Sequence, residues 1–74
     1  MTALVNTVHE LSPRQKQVLL CIAQGMTTKE IAHSMGVSIK TVETHRAAIM
    51  RRTGRTGVAA LVLLAVRDGL VQVA

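Results

Sequence analysis

The sequence predicts an all-α fold, a four-helix bundle, and three observations carry that prediction. Apolar residues recur at helical spacing, with no stretch of the strict alternation that marks a half-buried strand. Capping-box patterns open helices at Ser12 and Thr27, and Gly25, Gly36 and Gly69 stand where helices should stop. The connections between these signals are only a few residues long. A chain of 74 residues holds one domain, near the size at which a single core is only just sufficient.

Residues 1–10 carry no period and read as a tail or the end of a linker, which leaves residues 11–74 as the domain. The first helix starts with Ser12 as cap, Pro13 in the first helical position and Gln15 completing the box. Leu11 can pack back on the first turn, Val18, Leu19 and Ile22 form the apolar stripe, and Gly25 ends the helix. Thr27 caps the second helix with Glu30 reaching back, and Ile31, Ala32 and Met35 form its inner face. Gly36 ends it, and Ser38 caps a third helix of about residues 39–53. On that helix Val42, Ile49 and Thr53 share one stripe, with His45, Arg46 and Met50 at its margins. After a turn over 54–57 the fourth helix runs to about Asp68 and stops at Gly69.

Phe, Tyr and Trp are absent, so the core is aliphatic. Folds that stack bases on aromatic platforms are therefore disfavoured. Nine basic residues stand against four acidic ones, a net charge of +5. Between residues 38 and 56 lie five of the cations, Lys40, Arg46, Arg51, Arg52 and Arg55, with Glu43 the one acid. The surplus is thus focused on one element, as a polyanion-binding surface requires.

The spacing from Thr28 to His45 is that of a helix-turn-helix. Ala32 lets two helices cross closely, Gly36 opens the turn where a positive φ is needed, and Val42 points back at Ala32 and Ile31. That geometry pushes the second helix out of the domain and into the major groove of double-stranded DNA. Its outer face collects Lys40, Glu43, Thr44, Ala47 and Arg51. Glu43 can accept from cytosine N4, and Ala47 and the Thr44 methyl can approach a thymine methyl. Lys40, Arg51 and Arg52 suit phosphates, which fix register without reading sequence. Thr27, Thr28 and Lys29 can offer the free N–H groups of the second helix to a phosphate, or serve as an ordinary cap. His45 fits either a DNA-backbone contact or a structural place beside the core.

His9, His33 and His45 lack metal-ligand spacing, and Cys21 is alone, so neither a metal nor another cofactor is expected. No nucleophile constellation or glycine-rich phosphate loop is present, and no enzyme activity is expected. The apolar run 58–66 is far short of the ~20 residues of a membrane span. Residues 1–10 lack the basic start and apolar stretch of a signal peptide, so the chain reads as cytoplasmic, at the nucleoid, with no membrane partner.

The runs LSPRQKQVL from Leu11, GMTTKEIA from Gly25 and GVSIKTVETHR from Gly36 resemble the LuxR-type (NarL/FixJ, GerE-like) DNA-binding domain over about residues 11–71. The resemblance implies a four-helix domain of a bacterial transcription regulator, either the output domain of a response regulator or a stand-alone one. It implies base contacts from Glu43, Thr44 and Ala47, and backbone contacts from Thr27, Lys29, Lys40, Thr41, His45 and Arg51; Thr28, Arg46 and Arg52 complete the expected backbone set. Departures from the family pattern are Gln15 and Gln17 for usual glutamates, Thr53 for leucine, Arg55 for a small apolar residue, and Val58-Ala59-Ala60 beyond Gly57.

The fourth helix can bury Leu61, Val62 and Ala65, yet Ala59, Leu63, Leu64 and Val66 are apolar too. An apolar surplus on so small a bundle points to an interface, with a deeply buried helix as the alternative. The resemblance implies a homodimer through this helix, with Ala59, Leu63, Val66 and Arg67 as its contact residues, and RNA polymerase is a further candidate partner. Two other readings compete: a promoter-reading σ-factor-type domain, and a protein-interaction or dimerisation module that never touches DNA.

Overall fold

A computed structural model describes residues 4–72. Residues 1–3 of the expected tail and residues 73–74 of the expected domain lie outside them. Four α-helices, α1 (Pro13–Ala23), α2 (Thr28–Met35), α3 (Ile39–Thr53) and α4 (Val58–Arg67), follow a single 3-10 turn at Val8–Glu10. The described residues form no strand, and no helix among them is long and apolar enough to cross a membrane.

Each boundary has a local cause. The Ser12 hydroxyl accepts the Gln15 amide at 3.2 Å while Gln15 Oε1 accepts the Ser12 amide at 3.0 Å, so both orphan donors are satisfied. Thr27 and Glu30 repeat the arrangement at α2, at 3.1 and 2.8 Å. Gly36 takes φ +67° at the end of α2, and the next amide, Val37, donates to the Ala32 carbonyl at 3.0 Å. Only three residues, Gly36, Val37 and Ser38, thereby separate α2 from α3. Ser38 then caps α3 by accepting the Thr41 amide at 3.0 Å.

α1 packs against both α3 and α4, and α2 leans mainly on α3. Between them lies an aliphatic core of Leu11, Val18, Leu19, Ile22, Ile31, Ala32, Val42, Ile49, Leu61 and Ala65, with Cys21 at its edge. Thr53 is the one buried polar residue among those described. Its hydroxyl donates to the Ile49 carbonyl at 2.8 Å, which satisfies it inside the helix.

Two features differ from the sequence expectation, and one explains the other. Within the stretch read as a tail, Val8 is fully buried. Residues 5–10 fold back as a strap across the bundle: Val5 donates to the Arg52 carbonyl at 2.9 Å, and Val8 donates to Asp68 Oδ2 at 2.9 Å. His9 Nε2 donates to the Asp68 carbonyl at 2.7 Å, and Arg67 reaches the Asn6 carbonyl at 3.3 Å. The strap covers the flank of α4 that carries Leu64, so Leu64 joins the core, whereas Val62 is only half-buried beside an open groove formed with Leu20, Ala23, Val66, Leu70 and Val71. The buried face of α4 is therefore Leu61, Leu64 and Ala65 rather than Leu61, Val62 and Ala65.

Candidate nucleic-acid interface

α3 spans 15 residues, a rod of about 22 Å at 1.5 Å per residue. Val42, Ile49 and Thr53 face inward and fix its rotation, so the residues half a turn away face outward. Lys40, Glu43, Thr44, Ala47 and Arg51 are all exposed, a face of two cations, one carboxylate, one hydroxyl and one methyl. Its first residue, Ile39, is exposed as well.

The side chains on this face are already partly ordered. The Thr44 hydroxyl donates to the Lys40 carbonyl at 3.0 Å, so its proton is used within the helix while its oxygen can still accept. Thr41 is half-buried, with its amide held by Ser38 and its hydroxyl 3.0 Å from Ser38 Oγ. The cap takes only the Thr41 amide, so the first-turn amides of Ile39 and Lys40 meet no protein acceptor among the described residues. They stand at the positive end of the helix dipole, where an anion is favoured.

α2 brings its own N-terminus to the side of this face. Arg46 Nη1 donates to the Thr28 hydroxyl at 2.9 Å and ties the start of α2 to the middle of α3. Thr27 and Lys29 are exposed on either side of that contact. Glu30 lies in the same turn; hydrogen bonds from the Thr27 backbone and side chain hold its carboxyl below the ordinary carboxylate range. It stays charged, but its acceptor capacity is directed into the cap.

The structure divides the cations that the sequence groups together. Lys29, Lys40 and Arg51 are exposed, and His45 is half-buried at the margin of the core. Arg46 is engaged with Thr28. Arg52, expected beside Arg51 as a backbone ligand, turns to another side of the helix. It donates to Gln15 Oε1 at 2.9 Å and to the Glu10 carbonyl at 3.3 Å. Adjacent helical residues diverge by about 100°, and Gln15 offers a neutral acceptor on α1. Both contacts join residues far apart in sequence, and the one advance signal was the position of Arg46 beside the core stripe.

On α4, Ala59, Leu63 and Arg67 are exposed at spacings of four, with Leu63 at 70 % the most exposed large apolar residue described. Val66, placed with them by the sequence, is half-buried and lines the groove beside Val62. The Arg67 guanidinium is held by Asp68, Nε to Oδ1 2.8 Å. Gly57 begins the helix at φ +88° with no side-chain cap. Among the described residues no three His, Cys, Asp or Glu side chains are grouped to hold a metal.

Comparison with known proteins agrees with this arrangement. Residues 9–65 match the family described as bacterial regulatory proteins, luxR family. The chain is 38 % identical over 61 residues to the transcriptional regulatory protein MctR of Rhizobium johnstonii, covering 82 % of this chain and 28 % of that protein. It is 38 % identical over 60 residues to the transcriptional regulatory protein FixJ of Azorhizobium caulinodans, 81 % of this chain and 28 % of that one. With the transcriptional regulatory protein UhpA of Escherichia coli it shares 50 % identity over 44 residues, 60 % of this chain and 22 % of that one. The chain thus spans under a third of the length of these relatives.

Proposed function

This chain belongs to the luxR family of bacterial regulatory proteins, a family of DNA-binding domains of transcription regulators, and from that premise we propose how its residues divide the work. α3 enters the major groove, with Glu43, Thr44 and Ala47 at base edges. Lys40, Thr41, His45 and Arg51 along α3, and Thr27, Thr28 and Lys29 at the start of α2, meet phosphates on the two flanking strands. Thr28 takes part through its amide and its hydroxyl proton, since Arg46 engages only the hydroxyl oxygen, as an acceptor. Arg46 and Arg52 brace the domain, and add long-range charge more than direct contact.

The observation that carries this reading is the division of α3 itself. Its inner stripe is buried to zero exposure at Val42 and Ile49, while its opposite face holds exposed polar and small residues and cations. The domain acts by binding, without catalysis, in the cytoplasm. Two copies pair through the α4 face of Ala59, Leu63 and Arg67, with Val66 at its rim, and read two half-sites. RNA polymerase is a candidate partner of the assembled regulator.

Titration of the chain with duplexes selected from a random pool tests the proposal. Lys29, Lys40 and Arg51 in each of two bound copies neutralise about six phosphates, so log affinity should fall against log salt with a slope near −5. A slope near zero, or no selection of a common half-site, would overturn it.

A further inference from the structure

α3 buries its large aliphatic residues Val42 and Ile49 and half-buries Met50, yet Ile39 at its head is 47 % exposed. The start of the helix does not need a branched aliphatic side chain, because Ser38 and Thr41 supply the cap. Placed in water, Ile39 gains nothing from its apolar surface. A β-branched side chain on a helix has essentially one χ1 rotamer, so ordering it against a partner costs little.

Its position says what that partner is. Ile39 stands one turn before Glu43 at i,i+4, on the same side of the helix and about 6 Å away along the axis. Successive bases are about 3.4 Å apart, so Ile39 reaches one or two base pairs beyond the one that Glu43 meets. In the major groove the thymine methyl is the one apolar group on a base edge; the other edges present donors and acceptors that an isoleucine would leave unpaired. We propose that Ile39 is a specificity-determining residue that packs on the 5-methyl group of a thymine one or two base pairs from the Glu43 position. The inference rests on α3 being the recognition helix.

Deoxyuridine scanning tests it. Each thymine of the selected half-site is replaced by deoxyuridine, which removes the methyl group and nothing else, and affinities are compared for the wild-type chain, Ile39→Ala and Ile39→Val. The Glu43 position is located by the base at which Glu43→Gln changes preference. At one thymine within two base pairs of it, deoxyuridine should weaken wild-type binding about fourfold, the value of one buried methyl. Ile39→Ala should be insensitive there, and Ile39→Val should keep part of the effect. Sequence-specific binding with no methyl dependence in that window, or with equal loss in wild type and Ile39→Ala, would overturn the inference and leave the recognition helix standing. Failure to bind any duplex specifically would overturn both.

Discussion

Asp68 Oδ2 accepts the amide of Val8 at 2.9 Å, joining the end of α4 to a segment sixty residues earlier in the chain. The Asp68 side chain is only 7 % exposed, and it is also bound by Arg67. Asp68→Ala leaves the amide of a fully buried residue without its acceptor and should cost about 1–3 kcal/mol. Hydrogen bonds from Arg67 and from the Val8 amide hold the Asp68 carboxyl below its ordinary value. A lowered folded-state value means that the stabilisation is fully present above the unfolded value of about 3.9 and is lost as pH falls through the folded one. Urea titrations from pH 7 to pH 2 should show this loss in the wild type and a smaller one in Asp68→Ala.

Gln15 accepts from both the Ser12 amide and Arg52. Gln15→Glu places a negative charge beside Arg52 and at the positive end of α1. The variant should be more stable by about 0.5–1 kcal/mol at low salt. In the Arg52→Met background most of the gain should vanish, which a double-mutant cycle on thermal midpoints will read.

Gly36 sits at φ +67° with open space where a Cβ would be, so strain there comes from the backbone alone. Gly36→Ala should cost about 1–2 kcal/mol, or several degrees of melting temperature. Because this turn sets the angle of α3, DNA affinity at a temperature where the variant is folded should fall as well.

Arg51 and Arg52 are neighbours with different tasks. Arg51→Ala should weaken binding to all duplexes alike and reduce the steepness of the salt dependence by about one unit for each copy bound. Arg52→Ala should lower the melting temperature first, with a smaller change in that slope. Thr44→Ala should alter the preferred base at one position, and repeated duplex selection is the measurement.

Leu63 is exposed in the single chain. Leu63→Asp should weaken self-association at least tenfold by sedimentation, with the melting temperature of the dilute monomer nearly unchanged. An unaltered association constant would remove α4 from the interface.

Much of the fold was legible because its signals are local. Capping boxes at Ser12 and Thr27, the glycine at 36 and the stripe of Val42 and Ile49 act within a turn or two, so a linear reading finds them. The outer face of α3 followed from the same period. The strap was not legible: Val8 has no periodic neighbours, and Asp68 reads as the end of a helix until the two are seen together. For the same reason the burial of Leu64 is not legible in the sequence, since what covers it comes from the other end of the chain. The contacts of Arg52 with Gln15 and Glu10 are equally illegible, because residue type gives charge but not direction.

The strap also sets an order of events. Contacts of α2 with α3 close short loops, whereas those of α1 with α4 close long ones, as do those of Asn6, Val8 and Glu10, which close loops of 61, 60 and 42 residues. The strap is anchored by one fully buried side chain, Val8, and a few hydrogen bonds, whereas α4 buries Leu61, Leu64 and Ala65, so the strap is the first part to open. Its opening leaves the bundle assembled but bares Leu64 and frees Arg67 on the flank of α4. Hydrogen exchange at the Val8 amide therefore follows a partial opening of lower free energy than the global one, a clock for that flank alone.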